Sequence, residues 1–166
     1  MTVSRPTAPD AAADEETLAE LEALAVDFAE AAARLIRDER PGDLGAQSKT
    51  SRTDVVTVMD TRSEEFLRDR ILTARPRDGL LGEEGSASPS QTGLTWVIDP
   101  IDGTTNYLYG MPLYAVSVAV VVGNPSEPGW RPVVGAVCSP GMGVTWSART
   151  RGGARSAAIG GGTPRE

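Results

Sequence analysis

The 166-residue sequence predicts an α+β fold in which two N-terminal helices pack on an antiparallel sheet. Two segments in the first half carry apolar residues at helical spacing. The second half consists of short β-branched runs, separated by turns rich in Gly and Pro. Because short strands that follow one another in sequence usually pair as hairpins, the sheet is expected to be antiparallel.

The first helix is expected from Thr17 to Arg40, ended by Pro41-Gly42. Its core-facing stripe comprises Leu21, Leu24, Ala25, Phe28, Ala32 and Leu35. Charged residues occupy its other faces: Glu20, Glu22, Asp27, Glu30 and Arg34. The second helix is expected from Ser63 to Ala74, because Thr61-Arg-Ser-Glu64 fits a capping box.

The strands are expected where β-branched residues cluster. The predicted strands are Asp54–Met59, Leu80-Leu81, Thr95–Ile98, Tyr114–Val122, Val133–Val137 and Val144–Ala148. The last two flank a Gly- and Pro-containing turn and are predicted to form a hairpin.

The amino-acid composition along the sequence divides the chain into three parts. Residues 1–16 are rich in Pro, Ala and acids, lack the apolar stretch of a signal peptide, and are expected to be disordered. Residues 17–154 form the α+β domain. Residues 155–166 are rich in Gly and Arg, have little to bury, and are expected to be a disordered tail. No run approaches the roughly 18 apolar residues of a membrane span, so the expected compartment is the cytoplasm.

Composition excludes several classes of function. The net charge of −7 argues against binding to nucleic acid or to an anionic membrane, which both require a basic surface. The chain has no histidine, which excludes a Ser-His-Asp triad and a histidine-bound zinc site within it. The single cysteine, Cys138, follows an apolar run and is expected to be a buried thiol.

The sequence Asp99-Pro-Ile-Asp102-Gly places two carboxylates directly after a predicted strand. Pro100 restricts the backbone, so Asp99, Asp102 and the carbonyl of Ile101 are positioned to converge. Ligation by oxygen alone favours a hard cation such as Mg²⁺. A capped turn without a metal is the alternative, since Asp-Gly is common in turns.

Three further polar positions are candidates for the same site. The loop Gly82-Glu83-Glu84-Gly85 follows a short apolar strand, and either one of its glutamates points toward the aspartates or the loop is solvated. Asp60 precedes a predicted helix and either caps it or joins the site. Lys49 is the only lysine among 16 basic residues, which hints at a specific role.

Thr104 and Thr105 follow Gly103, and if a short helix starts here, its free N–H groups would face the same place as the aspartates. The free N–H groups at a helix start bind phosphate. Carboxylates, a hard cation and a helix N-terminus in one place would suit the hydrolysis of a phosphate ester, because a metal ion activates water without a histidine.

These motifs resemble those of the inositol monophosphatase family, a group of Mg²⁺-dependent, lithium-sensitive phosphatases. The resemblance rests on "KTSRTDVVTVMD", "GEEG" and "WVIDPIDGTTNYLYGMPLYAVSVAV", and it extends from about Leu18 to Ala154. It implies the N-terminal half of a layered αβαβα fold, a homodimer, and a small phosphorylated metabolite as the substrate.

The resemblance also implies roles for single residues. Glu83, Asp99, Asp102 and the carbonyl of Ile101 correspond to metal ligands, and Glu83 also to a residue that helps to activate water. Gly103 and Thr104 correspond to the phosphate-binding turn, and the hydroxyl of Thr104 to a group that orients water. Asp60 corresponds to an aspartate that hydrogen-bonds that threonine without binding the metal. Lys49 corresponds to a lysine near the metal-bound water.

Family members are longer, and a W-D-x-A motif in their second half supplies another metal ligand that this sequence does not match. Two alternatives to an inositol 1-phosphate phosphatase therefore remain. One is a non-catalytic remnant or metal-binding interaction module. The other is a related phosphatase acting on a nucleotide 3′-phosphate, NADP, histidinol phosphate or a sugar bisphosphate.

Overall fold

The computed structural model describes residues 14–45, 47–48 and 55–160. These residues form three helices: α1 Glu15–Asp38, α2 Val58–Ala74 and α3 Thr104–Leu108. They also form nine strands: β1 Gln47–Ser48, β2 Val55–Val56, β3 Gly79–Gly82, β4 Ala87–Ser88, β5 Leu94–Asp102, β6 Ala115–Val122, β7 Arg131–Ser139, β8 Val144–Arg149 and β9 Gly153–Ala158. The predicted α+β class is confirmed. Within the described residues, no helix is both long and apolar enough to cross a bilayer.

Helix α1 packs along one face of the large sheet. It begins after Asp14, whose carboxylate accepts the backbone N–H of Thr17 at 2.7 Å, so the helix includes two residues expected to be disordered. The ring of Phe28 lies 5.6 Å from that of Trp96 on β5, which joins the helix to the sheet. The buried face of the helix comprises Leu18, Leu21, Glu22, Ala25, Phe28, Ala29, Ala32, Ala33 and Ile36.

Helix α2 begins at Val58 rather than at Ser63, and the predicted strand Asp54–Met59 is wrong beyond Val56. The β-branched residues of this segment favoured a strand, but a capping box one turn upstream of the predicted one starts the helix earlier. Because of this earlier start, Asp60 lies inside the first turn of a helix instead of at the end of a strand.

The large sheet has the strand order β4-β3-β5-β6-β7-β8-β9. Its neighbouring strands are antiparallel except β3 and β5, which are parallel. The prediction of an antiparallel sheet is therefore wrong at this pair, and the sheet is mixed. The physical reason is β4, which runs back along β3 and returns the chain to the end where β3 began.

Strand β9 corrects the expected tail. Residues 155–158 are not disordered, because they pair with β8 in an antiparallel hairpin from Arg149↔Gly153 to Val144↔Ala158. The turn uses left-handed backbone at Arg151 and Gly153, with φ of 65° and 72°. The strand is held by backbone hydrogen bonds to β8, which do not depend on apolar side chains. A segment with few apolar residues can therefore form a strand. Residues 161–166 lie outside the described part of the chain.

Glu22 lies on the buried face of α1, not on an exposed one as expected. It is 5% exposed and accepts hydrogen bonds from Ser147 at 2.8 Å and from Arg149 at 2.6 Å. Its charge is therefore paired against β8 and not hydrated. The polar contact ties the last hairpin of the sheet to the first helix.

Among the described residues, the helices pack against one face of the large sheet and leave the other face without a helix. Trp96 and Val120 are cross-strand partners on the covered face and are fully buried. Val137 and Trp146 are partners on the opposite face and remain 37% and 39% exposed. Cys138 is buried, as expected, and burial raises the pKa of its thiol.

Candidate functional site

The first part of the site is a bulge near the end of β5. Asp99 pairs with Ser117 and Asp102 with Ala115, so three steps along β5 match only two along β6. The bulge contains Pro100, which has no N–H to donate to the ladder. Both aspartates are thereby mounted on a strand anchored by a buried residue between them, Ile101, which is 1% exposed.

The parallel pairing of β3 and β5 brings Glu83 to this bulge. Gly82 and Ile98 are register partners, so Glu83 and Asp99 each come one residue later at the same end of the sheet. Their carboxyl groups approach closely enough to share a hydrogen bond. The prediction that one glutamate of this loop points toward the aspartates agrees with this contact, which is made by Glu83.

The environment of Asp99 shifts the protonation equilibrium of its carboxyl group. Burial, followed by the nearby carboxylates of Glu83 and Asp102, raises the pKa of Asp99 to about 7, although the backbone N–H of Ile101 opposes the shift. That N–H donates to Asp99 at 3.1 Å, so the capped-turn interpretation is also partly correct. A cation at this place would relieve the repulsion that raises the pKa.

Helix α3 begins directly after the aspartates. Gly103 precedes it with φ of 90°, a backbone conformation that favours glycine. A Cβ atom at this position would lie 3.0 Å from the carbonyl oxygen of Leu113. The amide of Asn106 donates to that same carbonyl at 2.7 Å and fixes the turn from inside.

Thr104 is held by two acceptors. Its hydroxyl lies 2.9 Å from the carbonyl oxygen of Ile101 and 3.0 Å from a carboxylate oxygen of Asp60. The hydroxyl proton is thus directed inward, and the oxygen lone pairs remain available to accept a hydrogen bond.

Asp60 has two functions in the local structure. One carboxylate oxygen accepts the backbone N–H of Thr57 at 2.8 Å and completes the capping box of α2. The other accepts the hydroxyl of Thr104. Both interpretations of Asp60 from the sequence, a helix cap and a member of the site, describe real contacts of a side chain that is only 2% exposed.

The structure brings together Asp60, Glu83, Asp99, Ile101, Asp102, Gly103 and Thr104 around the bulge and the start of α3. The remaining predicted residue, Lys49, lies outside the described residues. Sequence reasoning assigned Glu64 to a capping box and missed its contact with the Glu83 loop. Its spacing of four residues from Asp60 was the available signal, since such residues share a helix face.

The chemistry of the donors fits a hard divalent cation. Carboxylates of Glu83, Asp99 and Asp102 and a carbonyl oxygen provide oxygen atoms only, which suits Mg²⁺ better than zinc or copper. Among residues 14–45, 47–48 and 55–160, however, no three acidic, His or Cys side chains are already arranged as a metal cluster. The carboxylates of these described residues therefore meet at the strand ends without forming a complete set of metal ligands.

Comparison with known proteins agrees with the fold and the motifs. The model of the inositol monophosphatase family matches residues 17–159. Inositol-1-monophosphatase SuhB of Mycobacterium tuberculosis is 41% identical over 152 residues, covering 82% of this chain and 50% of that protein. A histidinol-phosphatase of Chlorobaculum parvum is 37% identical over 132 residues, covering 79% of this chain and 48% of that protein.

The solved structure of Mycobacterium tuberculosis SuhB has the same fold over the shared region. It superposes with a TM-score of 0.69 at 37% identity, covering 89% of this chain and 50% of that one. Fold and carboxylate bulge together define an α+β protein with a candidate cation site. The chain belongs to the inositol monophosphatase family. It spans about half the length of the curated relatives that it matches.

Proposed function

We propose that this chain carries the metal- and phosphate-binding half of a Mg²⁺-dependent phosphomonoesterase that hydrolyses inositol 1-phosphate or a similar small phosphate ester. The observation that carries the proposal is the convergence of Glu83 and Asp99 at the ends of the parallel strands β3 and β5. Carboxylates that repel one another in the absence of a cation are suited to hold one.

The proposed metal ligands are the carboxylates of Glu83, Asp99 and Asp102 and the carbonyl of Ile101. Bound Mg²⁺ supplies Lewis-acid activation of water and neutralises charge on a phosphate. Two neighbouring carboxylates that share a proton must release it before both bind a cation, so binding is expected to release protons. The carbonyl oxygen of Ile101 has two lone pairs, one of which accepts the hydroxyl of Thr104, so the other is proposed to bind the cation.

Thr104 is the proposed group that orients the attacking water. Because its hydroxyl proton is directed to Asp60 and Ile101, its oxygen can accept a hydrogen bond from the water and so fix the direction of the water lone pair. Asp60 would act only through Thr104, which makes it a positioning residue. The turn at Gly103 is proposed to bind the phosphate group through its backbone.

The proposed substrate class is that of small phosphate monoesters. Relatives of similar identity carry the names inositol-1-monophosphatase and histidinol-phosphatase. Both names denote phosphatases of small phosphate monoesters, and we propose the same class of substrate here. The same site would also suit a nucleotide 3′-phosphate, NADP or a sugar bisphosphate.

The experiment that tests this proposal measures phosphate release with and without Mg²⁺ from inositol 1-phosphate and histidinol phosphate. The 166-residue chain is compared with its Asp99→Asn variant and, as a matched control, with Asp69→Asn on the exposed side of α2. Full-length SuhB of Mycobacterium tuberculosis serves as the reference protein. Release by the chain that equals that of Asp99→Asn removes the proposed activity from this chain and leaves the interaction-module alternative.

Two other features of the proposal have separate tests. Addition of Li⁺ to an active preparation is expected to inhibit the release. A homodimer is expected, and light scattering after size-exclusion chromatography measures the mass directly; a monomer at all concentrations contradicts it.

A further inference from the structure

Glu64 is a buried acid that the proposed mechanism does not use. It lies on α2, one turn after Asp60, and is 2% exposed. Its two carboxylate oxygens accept separate backbone N–H groups, that of Glu84 at 2.6 Å and that of Ser86 at 2.8 Å. These bonds are charge-assisted, and together they engage both oxygens of the carboxylate.

The contact leaves no spare room at the end of β3. The backbone N–H of Gly82 donates to the carbonyl of Ser86 at 2.7 Å, which closes the turn that contains Glu83. A Cβ atom on Gly82 would lie 2.5 Å from the carboxyl carbon of Glu64 and 2.8 Å from one of its oxygens. Glycine at this position therefore allows the carboxylate to lie directly against the turn.

We propose that Glu64 is a positioning residue for the candidate site, one that holds the turn of residues 82–86 so that Glu83 stays beside Asp99. This inference rests on the proposed function. Helix α2 then supports both halves of the site, since Asp60 accepts the hydroxyl of Thr104 and Glu64 accepts backbone N–H groups of the turn that carries Glu83. The two carboxylates are four residues apart and so project from the same face of the helix.

A carboxylate is specifically suited to this role. Burying an acid is costly unless its oxygens are hydrogen-bonded, so packing alone would favour an apolar side chain. The isosteric amide of Gln offers only one acceptor oxygen, and its NH₂ group would face one of the two N–H donors. Glu64→Gln should therefore loosen the turn while it preserves the volume of the side chain.

The test compares Glu64→Gln with Glu65→Gln, the adjacent and exposed glutamate of the same helix. The first readout is hydrogen exchange of the backbone amides of residues 84 and 86, measured by NMR in the absence of metal. The second is the affinity for Mg²⁺, measured by calorimetry. We expect Glu64→Gln to exchange these amides about tenfold faster and to bind Mg²⁺ about 10–100-fold more weakly. Glu65→Gln should match the unmodified chain in both.

The outcomes separate this inference from the proposed function. An unmodified chain that binds no Mg²⁺ removes the proposed function, while the amide readout still decides whether Glu64 holds the turn. Unchanged exchange in Glu64→Gln overturns the inference, as does faster exchange with unchanged Mg²⁺ affinity. Circular dichroism identifies variants that do not fold. If Glu64→Gln is among them, Gly82→Ala displaces the same carboxylate from the other side, and protection of both amides at the level of the unmodified chain overturns the inference.

Discussion

The hydroxyl of Thr104 lies 3.0 Å from the carboxylate of Asp60, although 44 residues separate them in the chain. The same carboxylate caps α2 through the backbone N–H of Thr57. A single buried acid thus links the start of one helix to the start of another. Stability and the orientation of the candidate site depend on the same side chain.

This double contact predicts the effect of Asp60→Ala. The variant loses a helix cap and leaves the hydroxyl of Thr104 with one acceptor, so its free energy of unfolding should fall by about 2 kcal/mol. Urea denaturation measures the change. Asp69→Ala on the exposed side of the same helix is the control and should stay within about 0.5 kcal/mol of the unmodified chain. Equal effects of the two substitutions would contradict the contact.

The raised pKa of Asp99 predicts a dependence of stability on pH. Because the folded pKa of about 7 lies above the usual 3.8, ionisation of Asp99 destabilises the metal-free fold. Its contribution is fully favourable below about pH 4, declines as the pH rises, and is lost above about pH 7. Asp99→Asn should therefore raise the melting temperature of the metal-free chain at pH 8 and leave it nearly unchanged at pH 4.

The melting curves are recorded with a chelator present, so that no cation stabilises the unmodified chain. A lower melting temperature for Asp99→Asn at pH 8 would show that the carboxylates do not repel one another as the structure indicates.

The left-handed backbone of Gly103 predicts that alanine is poorly tolerated there. At φ of 90° the added Cβ atom is strained and also meets the carbonyl oxygen of Leu113. Gly103→Ala should lower the free energy of unfolding by about 1–2 kcal/mol. Gly42→Ala is the control, since a Cβ atom there meets nothing within 4 Å. Chemical denaturation of both variants decides the point, and an equally small loss in each would refute it.

The buried contact between Glu22 and Arg149 predicts a stability effect far from the site. Glu22→Ala removes the acceptor of Ser147 and the closer of two acids that contact Arg149; the other is Glu15. The loss should be about 2 kcal/mol, because some pairing of the arginine survives. Glu20→Ala, on the exposed face, should change stability by less than about 0.5 kcal/mol. Thermal unfolding of the two variants gives the comparison.

The sequence was informative where chemistry is local. Asp99, Asp102 and the turn at Gly103 are adjacent in the chain, so a strand end with converging oxygens was predictable from their order. The first helix was predictable because its apolar spacing is long and regular. The partnership of Asp60 with Thr104 was implied by family resemblance alone, since nothing local joins two residues so far apart.

Other features depend on contacts that the sequence does not display. The parallel pairing of β3 and β5 follows from the short strand β4, which has no distinct pattern. The start of α2 was misplaced because two capping patterns lie one turn apart, and only packing selects between them. Glu22 was expected on an exposed face and Glu64 in a capping box, whereas each is buried against backbone or side-chain donors from a distant segment.

The central claim is that the carboxylates at the bulge of β5 bind Mg²⁺, and a calorimetric titration of the 166-residue chain with Mg²⁺ tests it most directly. The account predicts saturable binding that Asp99→Asn weakens by at least about tenfold and that Asp69→Asn leaves unchanged. Equal binding by the unmodified chain and Asp99→Asn, or no binding by the unmodified chain, would contradict the claim.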